Sequence, residues 1–120
     1  MARRAGARAL AALLSDPAAG RVWVATDAGS VVGFVVLTFS YSLEFHGRDA
    51  FVDELYVRPS HRRRGLGAAA LRLSEAACRE HGVHALHLEV DGANDPARAL
   101  YRRWGFDEHA RHLMTKWLPP

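Results

Sequence analysis

A chain of 120 residues and 13.2 kDa, 49% hydrophobic, can bury one ordinary core; two independent domains would each be marginal, so a single domain over residues 1–120 is expected. The formal net charge of +3 and the sequence pI near 9.6 rest almost wholly on arginine, and such a balance names no partner by itself. One cysteine, Cys78, excludes an intrachain disulfide, and no apolar run approaches the ~20 residues that cross a bilayer, so a soluble, cytoplasmic protein is expected, with no membrane partner.

The opening "MARRAGARALAALLSDPAAG" has the early arginines of a targeting peptide, but Arg8 interrupts the apolar run and "ALAALL" is too short for a secretory core. Leu10, Leu13 and Leu14, at helical spacing before Asp16-Pro17 and Gly20, predict an amphipathic helix over roughly residues 2–14. "RVWVATD" and "SVVGFVVLTFSYS" are rich in valine and aromatics and are separated by Ala28-Gly29, which predicts a hairpin. "LEFHGRD" turns the chain into "AFVDELYV", giving three strands in an antiparallel meander. Pro59 ends the third strand. A helix from Leu66 to His81 is expected next, with Leu66, Ala70, Leu73 and Ala77 on its apolar stripe, Arg72, Glu75 and Arg79 outside, and Gly82 closing it. Cys78 falls inside this segment as a small buried apolar residue. "HALHLEV" reads as a strand. Asp95 as N-cap and Pro96 in the first turn open a helix carrying Ala97, Leu100, Tyr101 and Trp104, stopped by Gly105, and "HLMTKWL" is expected as a last strand. The fold class is therefore mixed α/β.

The segment "RPSHRRRGLGAAAL" joins strand to helix, and that setting decides its chemistry. A helix's first turn has backbone N–H groups without partners, which together with the helix dipole attract anionic oxygen. Gly65 and Gly67 let the backbone approach a phosphate, and the arginines add charge and forked donors at the rim. A nucleotide-triphosphate loop is excluded because Gly67 is followed by Ala68, Ala69 and Ala70 rather than by Lys and Ser or Thr. The dinucleotide fingerprint is excluded because position 70 is alanine, not a third glycine, and no βαβ unit surrounds it. A nucleic-acid interface using Arg58, Arg62, Arg63 and Arg64 lacks interleaved aromatics for stacking, so no nucleic-acid partner is expected.

What remains is Arg-x-x-Gly-x-Gly at Arg62, Gly65 and Gly67, flanked by "FVDELYVRPSHRRRGLG" and "NDPARALYRRWGF". Together these blocks resemble the GNAT superfamily of acyl-CoA-dependent N-acyltransferases, over roughly residues 21–117. The resemblance implies a mixed, mostly antiparallel central sheet flanked by helices, here with a shortened N-terminal part, and acetyl-CoA as cosubstrate. It implies that the backbone of Arg63, Arg64, Gly65, Leu66, Gly67 and Ala68 cradles the coenzyme pyrophosphate, with the Arg62 side chain shaping the loop. It further implies that strand amides of Leu55, Tyr56 and Val57 meet the cofactor arm and the thioester oxygen, and that Asn94 meets the pantetheine amides. Because family members usually begin with a further strand and helix that wall the amine site, a homodimer that completes this wall is expected.

In the reaction the resemblance implies, an amine attacks the thioester directly, which leaves three tasks: accepting the amine's proton, stabilising the oxyanion and protonating the thiolate. Asp53 is the first candidate for base and amine-binding group and Glu54 the second; alternation along a strand places these neighbours on opposite faces. Tyr101 matches the family's tyrosine near the sulfur and is the candidate acid. Asn94 precedes the expected cap, which leaves its side chain available to the cofactor. Tyr41 and Glu44, in the turn before the central strand, are candidates for an amine pocket taking a small-molecule or peptide amine. His84-x-x-His87 and His109-x-x-His112 do not make metal sites, because strand residues three apart face opposite ways, so no metal is expected. The alternative reading is a non-catalytic acyl-CoA sensor, for which Asp53 and Tyr101 would be superfluous.

Overall fold

The valine-rich segments and tight turns anticipated above build the sheet. The computed structural model describes residues 4–120, with side-chain environments from residue 8 onward. The first helix, α1, spans Arg4–Leu14; the expected start at residues 2 and 3 lies outside the described residues. Strands β1 (Gly20–Asp27), β2 (Ser30–Ser42) and β3 (Gly47–Val57) follow, then helix α2 (Leu66–Glu80), strand β4 (Ala85–Leu88) and helix α3 (Asp95–Arg103). The chain divides into two compact units, one up to Glu89 and one comprising Val90–Pro120.

In the first unit the strands run in the order β1-β2-β3-β4, antiparallel except for the parallel β3–β4 pair. Ala28 and Gly29 both adopt positive φ (50° and 83°), the geometry of a two-residue hairpin turn whose twist matches the strands it joins. The β3 strand starts at Gly47, three residues before the expected "AFVDELYV", because Gly47 and Arg48 already pair with Ser42 and Tyr41. The core lies where α2 crosses the sheet: Val35, Leu37, Ala50 and Val52 are buried, Leu37 and Ala50 completely. Helix α2 turns Ala70, Leu71, Ser74, Ala77 and Cys78 inward; Ala70, Ala77 and Cys78 are buried as expected, whereas Leu73 is exposed and Leu66 only partly covered, so Leu71 and Ser74 complete the buried face. Ser74 is accommodated because its hydroxyl donates to the Ala70 carbonyl at 2.9 Å. The C-terminal end of α2 is tied to the sheet through His81, whose ring stacks on Phe39 at 4.6 Å and contacts the Arg21 guanidinium at 2.8 Å.

The second unit holds α3 and an irregular tail. Gly105 (φ 95°) stops the helix as expected, but the expected strand "HLMTKWL" is absent: no regular element follows α3, and Leu113, Met114, Trp117 and Leu118 are 76–90% exposed. Strand-forming composition makes a strand only once it pairs with another, and the sheet includes no residue of this segment. Among the described residues no helix is long and apolar enough to cross a membrane.

Candidate active site

Two pairing patterns meet on β3. On one side Leu37 pairs with Val52 and Val36 with Glu54, which leaves Asp53 as an extra, bulged residue. On the other side β4 pairs with Asp49 to Val52 only, so the β3 edge from Asp53 to Val57, containing Leu55, Tyr56 and Val57, has no strand partner on the β4 side. The bulge also corrects the expected placement of the two carboxylates. Val52 and Glu54 pair with adjacent residues of β2 and so face opposite ways, and simple alternation fails at Asp53. Asp53 is exposed and Glu54 half-buried; Glu54 lies on the sheet face away from Leu37 and Val52.

Close to the fork between β3 and β4 lies a polar cluster that sequence reading passed over. The Asp49 carboxylate, only 4% exposed, accepts from the Ser40 hydroxyl at 2.6 Å and from His87 Nε2 at 3.1 Å. Phe45 and Phe51 flank the imidazole, with ring centroids at 4.3 and 4.8 Å. His87 Nε2 is thus engaged by a carboxylate. Among the described residues no group of three or more His, Cys, Asp or Glu could hold a metal ion. His109 and His112 lie in the irregular tail, not in a strand.

Beyond Val57 a short 3-10 turn, Pro59–His61, leads to the loop Arg62–Gly65, which opens into α2. Arg62 Nε donates to the Val57 carbonyl at 3.0 Å, so its side chain closes the loop onto the strand it leaves. Arg63 (φ 63°) and Gly65 (φ 80°) both sit in the left-handed region, and Gly65 is the residue that caps the helix. Left-handed residues separated by one other fold the backbone into a concave turn in which successive N–H groups can converge on an anion. The helix behind it contributes N–H groups of Leu66, Gly67 and Ala68, and its first turn carries no acidic residue. A Cβ added at Gly65 or Gly67 would meet nothing within 4 Å, so both glycines open onto free space on the loop's surface. The donors, the charge of Arg62, Arg63 and Arg64, and this open surface fit a diphosphate.

In the second unit the helix cap differs from expectation. Asn94, not Asp95, is the N-cap of α3: its Oδ1 accepts the Ala97 N–H at 3.3 Å. The cap uses the oxygen alone, leaving the Nδ2 donors outside it. Tyr101 is half-buried between Trp104 and Phe106, with ring centroids at 6.3 and 5.9 Å, and burial pushes its phenol above the usual range. Glu108 bridges Arg98 (2.6 Å) and Arg102 (2.7 Å), one turn apart on α3, which draws the segment after the helix back along it. These bonds hold the Glu108 carboxyl below its ordinary range.

The remaining candidates are less defined. Tyr41 is 71% exposed and pairs with Arg48, its hydroxyl lying 3.4 Å from where a Gly47 Cβ would stand; Glu44 is exposed in the 3-10 turn Leu43–Phe45. A hollow lined by Leu13, Leu14, Pro17, Gly20, Arg21 and Val22 contains none of the candidates. Cys78 is buried and its thiol pushed up to about 11 by desolvation, which leaves it a poor nucleophile.

Comparison with known proteins shows the family. Residues 3–106 match the family described as "Acetyltransferase (GNAT) family". Streptothricin acetyltransferase of Streptomyces lavendulae is 34% identical over 76% of this chain and 47% of its own length. Aminoglycoside N(6')-acetyltransferase type 1 of Klebsiella aerogenes is 32% identical over 85% of this chain and 68% of its own. The crystal structure of the integron cassette protein HFX_CASS3, from the mobile metagenome of Cole Harbour Salt Marsh, superposes with a TM-score of 0.81 at 40% identity, covering 97% of this chain and 71% of that one. The fold is that of a GNAT acetyltransferase, and the chain belongs to that family. It spans about half the length of the streptothricin enzyme.

Proposed function

We propose that the protein is an N-acetyltransferase that moves an acetyl group from acetyl-CoA to a primary amine of a small molecule or peptide. The observation that carries this reading is the loop Arg62–Gly65, with left-handed backbone at Arg63 and Gly65, set between the bulged end of β3 and the first turn of α2. Acetyl-CoA, when bound, supplies the thioester. Arg62, Arg63, Arg64, Gly65, Leu66, Gly67 and Ala68 hold its pyrophosphate, chiefly through backbone N–H groups. Leu55, Tyr56 and Val57, on the β3 edge that β4 leaves unpaired, offer main-chain groups to the cofactor arm and to the thioester oxygen.

Asp53 receives the amine and takes its proton, directly or through water, with Glu54 as the alternative carboxylate. Tyr101 donates the phenolic proton to the departing thiolate; burial favours its protonated form, as that role needs. Asn94 donates from Nδ2 to the pantetheine while Oδ1 caps α3. Tyr41 and Glu44 border the acceptor. The names of the streptothricin and aminoglycoside relatives support a small, amine-rich acceptor. Two copies are proposed to pair as a homodimer.

Thiol release from acetyl-CoA against a library of polyamines, aminoglycosides, amino acids and peptide N-termini tests the assignment. At least one amine class is expected to be acetylated, and Tyr101→Phe is expected to lower turnover by about 10²-fold with little change in acetyl-CoA affinity. Unchanged turnover in Tyr101→Phe removes the acid role. Coenzyme A binding without thiol release to any amine favours the sensor.

A further inference from the structure

The anion loop is exposed from Arg62 to Gly65, so buried side chains do not hold it in place. Its approach is instead pinned by polar contacts. The Arg58 N–H donates to the carbonyl of Val32 at 2.7 Å, and Arg62 Nε reaches back to Val57. The third contact reaches the tip of a different hairpin: His61 Nε2 lies 2.8 Å from Asp27 Oδ2, across 34 positions of sequence. Asp27 is the residue before the Ala28-Gly29 turn, whose two left-handed residues hold that tip in a single shape. The His61 side chain is mostly covered, and its other nitrogen, Nδ1, lies 2.8 Å from the Ser60 hydroxyl. Both ring nitrogens are engaged, so the imidazole cannot turn without losing a bond.

We propose that Asp27 and His61 are positioning residues for coenzyme binding: they clamp the entry of the pyrophosphate loop to the β1–β2 turn. The proposal rests on the reading of the loop given under Proposed function. An ionised carboxylate only accepts, so Nε2 carries a proton toward Asp27, and in the neutral ring Nδ1 accepts from Ser60. On protonation Nδ1–H donates to the same hydroxyl, and the clamp survives either state. The contact also acts on its partner: the His61 hydrogen bond, with a lesser contribution from the Arg64 charge, holds the Asp27 carboxyl below its usual range.

Binding of coenzyme A, followed by calorimetry, and of pantetheine, which lacks the pyrophosphate, followed by ligand-observed NMR, tests the clamp. His61→Ala and Asp27→Ala are expected to raise the Kd for coenzyme A about tenfold while leaving that for pantetheine and the melting temperature unchanged. Asp27→Asn retains an acceptor for Nε2–H and is expected to stay within about threefold of wild type. Equal loss for both ligands, or a lowered melting temperature that accounts for the loss, overturns the proposal in favour of a general structural role. An unchanged Kd for coenzyme A in both alanine variants also overturns it. In that case Gly65→Val shows what survives: if it still weakens coenzyme A, the loop reading stands and only the clamp falls, whereas if it too has no effect, both fall.

Discussion

Arg63 and Gly65 share a left-handed backbone and differ in what their side chains add to it. A residue with a Cβ costs roughly 1–2 kcal/mol in that conformation, more when β-branched, so Gly65 is where substitution distorts the loop even though open space surrounds it. Arg63 already bears that strain, and replacing it by alanine removes only an exposed charge. Gly65→Val is therefore expected to weaken coenzyme A binding by about tenfold or more, and Arg63→Ala by only a few-fold, when both are titrated at one salt concentration. The reverse ranking would make the arginine side chains, not the backbone, the anion site. Gly65 was legible in the sequence because few residue types tolerate such a backbone. The left-handed Arg63 was not, since arginine carries no such signature.

Helix α3 has nine residues, too few for stability by propensity alone, so its ends matter. Asn94 closes one end, and the Arg98–Glu108–Arg102 bridges lie along the other half. Asn94→Ala is expected to cost ~1 kcal/mol in urea denaturation, while Asn94→Asp keeps the accepting oxygen and the stability. If Nδ2 also serves the cofactor, Asn94→Asp loses coenzyme A affinity despite its wild-type stability; if it retains both, Asn94 is a cap only. Strand β3 shows the same division between pattern and context. The composition of β3 marked a strand, yet the bulge at Asp53 follows from pairing with β2, and no local feature of "VDEL" announces it.

Across the whole chain, Leu113, Met114, Trp117 and Leu118 present large apolar side chains to solvent, and such clusters commonly mark contact surfaces. The proposed homodimer is tested by size-exclusion chromatography with light scattering, expected to return twice the chain mass, and Trp117→Ser, at one of these exposed side chains, is expected to shift the population toward monomer. A strict monomer at all concentrations overturns the pairing. The sequence by itself determined the three-stranded meander, the strand-to-helix turn at Gly65 and the helix and strand on either side of Gly82, because each rests on local periodicity or on backbone angles that few residues tolerate; the family it showed through the resemblance of the two motif blocks around Gly65 and Tyr101. Only the tertiary structure decided that Leu71 and Ser74 rather than Leu66 and Leu73 complete the buried face of α2, that Asp53 is bulged, that Asn94 rather than Asp95 caps α3, that "HLMTKWL" is no strand, and that His61 meets Asp27 and His87 meets Asp49. Apart from the cap, a local competition between two neighbouring polar residues, these depend on partners far apart along the chain, and the free energy that selects them exists only once the elements have come together.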